Sequence, residues 1–597
     1  MTRRLVVWVA LALSLWGAAL YVTGGFGFTL FLVHVTSRDP VRPLVLAMLL
    51  LAGGYAAFGR RAIDDELERI VLIAQAAAMP VAVGASLAVV VVGVYWGTFA
   101  ASSVDAFGYV SEAALWARGR LRIDQAFVAS IPWPAADWAF APMGYRPAFA
   151  GHAIVPSYAP GLPLLMALAE RLAGACGPYY VVPLLGGLCV WCCYLLGRRA
   201  ASAAAGACAA VLLACSPAFL FHLVAPMSDV PAAAVWCAAL YLTLEGGAAA
   251  CASAGMLAGI AVLIRPNLAP LAAVLAAFIA WPEDSGASRR GARRRVAWFA
   301  AGLAPSIGAI AIINWRLYGS PLTSGYGDLG PAYAADHIAA NARRYAAWIV
   351  QTQTPLIALA AVGLLAPRVW RTTILASRAS ALFLVFTLAI VVSYLPYSVF
   401  EDWWYLRFFL PALPALVVAM AASILWGLGY LPVAARVLGF VAVGTFLVSH
   451  ELRFAIDAGL TRLQRLERRY VAVARFIESA TPPNAVFLAL QHGGSVRHYA
   501  GRLTVRFDRV AVGLDEALAS LERAGWHPFI LLEDWEETQF KNQFGSSSVA
   551  GRLAWRPYAR LPEPGGVNIY DPRQAADVAP HDLTVIPPPG ACDCRHR

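Results

Sequence analysis

Long apolar runs recur through the first three quarters of this chain of 597 residues. A helix needs about 20 apolar residues to cross the hydrocarbon core of a bilayer. The composition points the same way: 60% of the residues are hydrophobic and 14% are charged, whereas soluble domains average about 45–50% and about 25%. These values exclude an ordinary soluble enzyme, a disordered chain and a small disulfide-rich secreted domain. They predict a polytopic membrane protein.

Candidate spans can be given ends to within about four residues. They are 5–21, 43–58, 77–98, 160–174, 179–197, 202–222, 229–247, 252–265, 267–281, 297–318, 347–366, 379–397, 408–428 and 433–450. The arginine-rich connectors at Arg60, Arg198, Arg289–Arg295, Arg368–Arg378 and Arg436 are assigned to the cytoplasm by the positive-inside rule. The loops 99–158, 222–229, 318–346 and 398–407, and the tail after 450, then face the opposite side.

About thirteen crossings satisfy every basic connector. The segment 160–174 is therefore predicted to be a juxtamembrane or re-entrant helix, because it is short, opens with Pro160-Gly161 and carries Glu170 and Arg171. A single kinked span over 252–281 is the alternative, and it would place Arg198 outside.

The fold class is thus an all-α polytopic membrane protein with a C-terminal soluble α/β domain. The predicted domains are an N-terminal transmembrane extension (1–76), a transmembrane catalytic module (77–450) and an α/β domain (451–597). In the last, we predict a strand over 485–490, a helix over 514–524 and a strand over 529–532.

The net charge of +11 comes almost entirely from residues 1–450. Membrane orientation explains this surplus, so the charge gives no support to nucleic-acid binding. The tail contains a glycine-rich turn, Gln491–Ser495, directly after a predicted strand. Such a turn can face a ligand, but the chain has no dinucleotide or P-loop motif, so nucleotide binding is not predicted.

Two acidic residues lie at the start of predicted helices on the outer side. Asp105 opens the long loop 99–158, and helical spacing puts Asp105, Tyr109 and Glu112 on one face. A carboxylate at a bilayer boundary is partly desolvated and can act as a general base toward a hydroxyl. Asp229 lies in the next outer loop. For both acids, the alternative is that the side chain only caps the helix that follows.

Two arginines are the candidate cations. Arg265 interrupts an apolar stretch just before Pro266, and an arginine at membrane depth is by default a functional residue. Arg407 lies at the mouth of a span, where its guanidinium can clamp a phosphate. The alternative for Arg407 is interfacial anchoring with pairing to Glu401 or Asp402.

Aromatic residues accompany these charges. Trp404 and Tyr405 precede Arg407, and Tyr318 and Tyr326 lie in a loop rich in glycine and serine. Loops of this composition line polar or sugar-like ligands, although turn formation alone explains most of the pattern.

The order of these motifs resembles the GT-C superfamily of glycosyltransferases. The shared features are an aspartate opening the first large outer loop, a proline- and glycine-rich stretch at Tyr158–Pro163, an aspartate in the second outer loop and an Arg-Pro-Asn break in a span. Within the superfamily, the chain is most similar to the bacterial protein O-mannosyltransferase-like and aminoarabinose-transferase-like branch, over about residues 77–450. The strings Tyr318–Gly327 and Trp403–Pro414 are also similar to that branch. It often has Lys-Pro-Pro where this chain has Tyr158-Ala159-Pro160, and the only lysine here is Lys541.

The resemblance implies an enzyme of the bacterial inner membrane. It would take a sugar from a polyprenyl-phosphate carrier and pass it, with inversion, to an acceptor hydroxyl on the periplasmic side. The acceptor, a glycan, lipid or protein, is left open. Asp105 would be the general base, and Asp229 would support the site or a divalent cation; no other cofactor is expected. The predicted substrate-binding residues are Tyr109, Glu112, Arg265, Tyr318, Tyr326, Trp404, Tyr405 and Arg407.

Two other classes of function remain as alternatives to a glycosyltransferase. A transporter or flippase for lipid-linked sugars would need a polar pathway through several spans, whereas the acids here lie in outer loops. A non-catalytic envelope assembly protein would use the tail after 450 as its partner-binding module.

Overall fold

The computed structural model describes residues 2–30, 33–281, 289–328, 330–370, 374–563, 565–574 and 579–585. The N-terminal part contains α1 (Arg3–Thr23), a hairpin of β1 (Phe26–Leu30) and β2 (Val33–Ser37), α2 (Val41–Phe58) and α3 (Arg60–Ala76). Helix α3 is held to α1 by charge, because Arg3 and Arg4 both pair with the buried Glu66.

After α4 (Ala78–Tyr95), the first long predicted outer loop has its own structure. It contains α5 (Asp105–Ala117), β3 (Ile123–Asp124), α6 (Ala136–Ala139), β4 (Tyr145–Pro147) and β5 (Ala153–Pro156), and α7 (Gly161–Ala173) follows it. The three strands form a small antiparallel sheet in the order β3-β5-β4. This sheet returns the chain from the tip of the loop to the membrane part.

Twelve further helices complete the membrane part among the described residues. They are α8 (Gly177–Ala200), α9 (Ala203–Cys215), α10 (Pro217–Leu223), α11 (Asp229–Glu245), α12 (Ala248–Ile264), α13 (Pro270–Ala280), α14 (Arg289–Tyr318), α15 (His337–Gln353), α16 (Leu359–Leu365), α17 (Ile374–Tyr394), α18 (Leu413–Leu428) and α19 (Val433–Asp457). Their shared core is rich in alanine, valine and leucine, with large rings such as Trp236 and Phe386 packed edge to face at 6.0 Å.

In the described part of the chain, six helices are long and apolar enough to cross a membrane, or nine if each of three bent pairs is one span. Three shorter apolar helices add to these. This count does not confirm the predicted thirteen, because several predicted spans are bent or form helices shorter than 18 residues. The chain bends by 59° between α9 and α10, at Pro217, and by 114° after α15, at Pro355. Proline donates no backbone N–H and cannot continue a helix.

Two predicted segments need separate description. The apolar stretch 252–281 is broken at Arg265 and Pro266 into α12 and α13. The segment 160–174 forms α7, which continues through one short 3-10 turn into α8. Its assignment as a juxtamembrane or re-entrant helix stays a prediction.

The tail contains α20 (Leu460–Glu467), α21 (Arg469–Ala480), β6 (Ala485–Leu488), α22 (Gly493–Ser495), β7 (Leu503–Val505), α23 (Leu514–Arg523), β8 (His527–Glu533), α24 (Asp534–Phe544), β9 (Ala559–Leu561), β10 (Val567–Tyr570) and β11 (His581–Asp582). The two predicted strands and the predicted helix are confirmed as β6, β8 and α23. The strands form a mixed six-stranded sheet in the order β11-β9-β10-β8-β6-β7, in which β6 lies parallel to both β7 and β8.

The first long loop and the tail share one apolar core. Val128, Trp133 and Phe140 from the loop are buried in the same cluster as Val486 and Ile530 from the sheet. Backbone bonding reinforces the contact, since the N–H of Arg506 donates to the carbonyl of Ala139 at 2.7 Å. The loop therefore packs as part of the tail. The predicted domain boundary at 450 falls inside α19, and the division into three domains stays a prediction.

Candidate active site

The four predicted outer loops meet at one place. The hydroxyl of Tyr318 donates to the carbonyl of Pro156 at 2.8 Å, and the guanidinium of Arg146 donates to the carbonyl of Ser324 at 3.2 Å. These bonds join the loop 99–158 to the loop 318–346. The remaining two loops are joined to them by the charged residues described next.

Asp105 is the first residue of α5, and its side chain makes no capping bond. Instead, its Oδ1 accepts from the hydroxyl of Tyr158 at 2.5 Å, and its Oδ2 accepts from Nη1 of Arg407 at 2.9 Å. The carboxylate is 32% exposed and the guanidinium 18% exposed. The capping alternative is wrong for Asp105, and so is the pairing of Arg407 with Glu401, because Glu401 pairs with Arg344.

Asp229 is the first residue of α11 and also makes no side-chain cap. Its Oδ1 is bound by Nη2 of Arg265, in an ion pair that leaves only 1% of the carboxylate exposed. Ser228 completes this group: its hydroxyl accepts from Nε of Arg265 at 3.2 Å and from the hydroxyl of Tyr109 at 2.8 Å. The capping alternative is therefore wrong for Asp229 too.

The two ion pairs form one site. Arg407 interacts electrostatically with both Asp105 and Asp229, and the ring of Tyr109 in the second group packs at a tilt of 50° against that of Tyr158, the partner of Asp105, with centroids 4.6 Å apart. Three buried polar atoms here have no hydrogen-bond partner within the described ranges: Oδ2 of Asp229, Nη1 of Arg265 and Nε of Arg407. Buried polar groups are nearly always bonded, so these atoms are the ones left for a polar ligand.

The other predicted residues surround this centre at different distances from it. The half-exposed Tyr326 packs its ring at 5.9 Å from Tyr158. Tyr405 stacks on Phe400 at 3.8 Å and lies under the guanidinium of Arg407 at 5.3 Å. Both residues thus extend the aromatic wall beside the first ion pair.

Glu112, Tyr318 and Trp404 lie further out. Glu112 is fully buried, and in the described structure neither of its oxygens has a hydrogen-bond partner. Burial raises the pKa of Glu112 well above its usual range. Tyr318 uses its hydroxyl on the carbonyl of Pro156, and Trp404 stacks on Phe221. The structure does not bring these three to the charged centre.

Sequence reasoning missed Tyr158 and Ser228 as site residues. Tyr158 belongs to the proline- and glycine-rich stretch that was noticed only as a motif, and a hydroxyl beside that stretch was the available signal. Its ring fits because Gly108 lies beneath it, where a Cβ atom would overlap the ring. Ser228 directly precedes Asp229, and a serine at this position is explained by the frequency of serine at helix starts, so it gave no separate signal.

A divalent cation does not fit this set of donors. Each carboxylate already has a guanidinium within bonding distance, and a metal ion would have to displace it. In the described residues, no group of three histidine, cysteine, aspartate or glutamate side chains is placed to hold a metal ion. The mechanism proposed for these residues therefore uses no metal ion.

Known proteins resemble this chain in part of its sequence and in its fold. Residues 157–313 match the family model described as dolichyl-phosphate-mannose-protein mannosyltransferase. Apo ArnT from Cupriavidus metallidurans is similar in structure, with 13% identity, a TM-score of 0.51 and coverage of 82% of this chain and 97% of ArnT. The apo oligosaccharyltransferase of Archaeoglobus fulgidus has 14% identity, a TM-score of 0.49 and coverage of 83% and 74%. No curated protein matches the sequence.

The family match over residues 157–313 and the fold shared with ArnT make the chain similar to glycosyltransferases of the GT-C superfamily. The predicted resemblance is thereby confirmed. The apolar helices make the chain a multi-pass membrane protein.

Proposed function

We propose that this chain transfers a sugar from a polyprenyl-phosphate carrier to an acceptor hydroxyl, with inversion, at the non-cytoplasmic edge of a bacterial inner membrane. The observation that carries the proposal is the pair of adjacent guanidinium groups, Arg407 and Arg265, each bound to a carboxylate and each with one buried nitrogen unpartnered in the described structure. Guanidinium groups suit phosphate because they offer a planar fork of donors.

Two similar proteins support the proposed donor class. ArnT has been crystallised bound to undecaprenyl phosphate, and the matched family is described by dolichyl-phosphate-mannose. Both carriers are polyprenyl phosphates. A lipid of this kind is insoluble in water, so its phosphate must be handled at the membrane edge. Thirteen crossings, with the four loops and the tail periplasmic, remain our topology for this chain.

In the proposed mechanism, the donor phosphate competes with Asp105 for the guanidinium of Arg407. Donor binding then frees one oxygen of Asp105 next to the sugar. As the acceptor oxygen forms its bond to the anomeric carbon, Asp105 takes the hydroxyl proton, and the bond from that carbon to the phosphate oxygen breaks. Arg407 and Arg265 stabilise the charge that develops on the leaving phosphate. Tyr158 holds the second oxygen of Asp105 and fixes the direction of the carboxylate.

The substitution Asp105→Asn tests this mechanism. It keeps the size of the side chain and an acceptor for Tyr158 but cannot take a proton, so transfer should fall by about 10²–10⁴-fold. Folding should change little, because the lost ion pair is partly exposed. The matched control is Asp137→Asn in the same loop, whose carboxylate pairs at 3.0 Å with the exposed His152.

The assay uses a deletion strain complemented with each variant. Carrier lipids are extracted and the polyprenyl-phosphate-linked sugars are measured by mass spectrometry. We expect one such lipid to accumulate without the gene and with Asp105→Asn, and to disappear with wild type and Asp137→Asn. Wild-type transfer by folded Asp105→Asn would show that Asp105 is not the general base. If the lipid-linked sugar instead crosses the membrane of proteoliposomes with its sugar still attached, the protein is a flippase and not a transferase.

A further inference from the structure

The residues that lead into α5 form a strained segment, which we call the pre-helix segment (97–104). Phe99 has φ 46° and Ser103 has φ 49°, both in the left-handed region that side chains with a Cβ atom rarely adopt. The residues between them, from Ala100 to Ser102, are at most 1% exposed. Asp105 follows directly. Strained backbone persists only where surrounding structure holds it in place.

The tail supplies that support. The backbone N–H of Ala101 donates to the hydroxyl of Tyr499 at 2.7 Å, across 398 residues of sequence. Nε2 of Gln464 donates to the carbonyl of Gly97 at 2.7 Å. We call Gln464 and Tyr499 the brace residues. They bond to two of the eight residues of the pre-helix segment.

A second contact reaches α5 itself. The glycine-rich turn after β6 packs against this helix. Its Gly494 lies against the ring of Phe107, so closely that a Cβ atom would overlap the ring. His498 packs edge-on to the same ring, with centroids 6.4 Å apart. Phe107 is two residues from Asp105 on the first turn of α5, so the tail contacts the backbone before the carboxylate and a side chain after it.

We propose that the tail is a positioning element of the active site, and that Tyr499 acts through the pre-helix segment to set the place of Asp105. This inference rests on the proposed function only for the role of Asp105. It differs from the assembly hypothesis, in which the tail binds a separate partner and leaves the site intact. Tyr499 touches no reacting atom; it is a positioning residue. Its hydroxyl also lies 3.4 Å from that of Tyr179 on α8, which ties the same point to the bundle.

The test is Tyr499→Phe in the full-length chain, which removes the hydroxyl and keeps the ring. The matched control is Tyr558→Phe, because Tyr558 is also in the tail but donates to Ala480 at 3.2 Å within the tail. If Tyr499→Phe folds poorly, Gln464→Met removes a different brace bond and should act in the same direction. All variants are purified and placed in liposomes.

The first readout needs no substrate. Hydrogen–deuterium exchange of peptides covering 97–107 should become faster by about tenfold in Tyr499→Phe, because the amide of Ala101 loses its acceptor. Tyr558→Phe should match wild type. Unchanged exchange in both brace variants would overturn the inference.

The second readout is kinetic. The donor is the carrier-lipid fraction of the deletion strain at varied concentration, and the acceptor is the envelope fraction of that strain. Tyr499→Phe should lower kcat by about ten- to a hundredfold while the donor KM stays within about twofold, since a small misplacement of a catalytic group slows the chemical step. Wild-type kcat per folded molecule, with faster exchange, would overturn the positioning role. If wild type transfers no sugar, the proposed function fails, and the exchange result still decides whether the brace exists.

Discussion

The buried ion pair of Asp229 and Arg265 gives the sharpest test of how the site is built. Asp229→Asn removes the negative charge beside Arg265, whose Nε still donates to the hydroxyl of Ser228. Arg265→Gln leaves the carboxylate of Asp229, 1% exposed, without its cation. The double variant replaces the pair by two amides of similar size. The three variants form a thermodynamic cycle.

The expected magnitudes follow from burial. Removing one partner of a buried pair costs about 3–5 kcal/mol, because a charge is left uncompensated, whereas replacing both partners by neutral groups of similar volume is often close to neutral. Each single variant should therefore lose about 3–5 kcal/mol of unfolding free energy, and the double variant much less than their sum. An exposed pair on the same face is the control: Glu401 is 86% exposed in its pair with Arg344, so Glu401→Gln should cost under about 1 kcal/mol.

The assay is equilibrium unfolding in mixed micelles, followed by tryptophan fluorescence from the 19 tryptophans, together with sugar transfer. We expect the double variant to recover stability but not transfer, because the proposed donor phosphate still lacks the guanidinium of Arg265. Additive losses in the double variant would refute the paired arrangement. Recovery of transfer along with stability would show that Arg265 only neutralises Asp229.

Two further predictions concern the tail. Gly494→Ala should lower transfer and loosen exchange at Phe107, because its Cβ would overlap that ring, whereas Gly493→Ala meets nothing closer than 3.7 Å and should behave as wild type; equal behaviour of the two in exchange and transfer assays would contradict the contact. Burial raises the pKa of Glu533, but bonding to His492 and nearby positive charge outweigh it and lower the pKa to about 2. The stabilisation is therefore present above about pH 4.5 and lost as pH falls toward about 2. The melting temperature of wild type should exceed that of Glu533→Gln at about pH 6, and the gap should close on acidification; a constant gap would argue against it.

Sequence reasoning placed the parts of the site without pairing them. The charge rule put four loops on one side, and the structure joins those loops around Asp105 and Arg407. The pair itself could not be read from the sequence, because its members are 302 positions apart and each had a nearer plausible role: Asp105 as a helix cap and Arg407 as a partner of Glu401. Capping and ion-pair rules consider residues that are close in sequence, whereas in the folded chain Asp105 pairs with a residue that is distant in sequence.

The helices were harder to count than to locate. Apolar composition marks every segment that the bundle buries, but it does not distinguish a straight span from one broken at a proline such as Pro217 or Pro355. The brace escaped notice for a different reason. No sequence motif surrounds Tyr499. Its bond to Ala101 depends on the left-handed backbone at Phe99 and Ser103, and the residue types at those two positions do not predict that conformation.

The family match covers one of the two ion pairs of the candidate site and not the other. Residues 157–313 contain the buried pair of Asp229 and Arg265, whereas Asp105 and Arg407 lie on either side of the matched stretch. In our proposal, Arg265 of the buried pair holds the donor phosphate together with Arg407, a task common to any enzyme that uses this carrier. Asp105 meets the acceptor hydroxyl, and we propose that it is positioned by a tail outside the match. Differences in acceptor between such enzymes should therefore follow the segments around Asp105 and its brace, rather than the matched stretch.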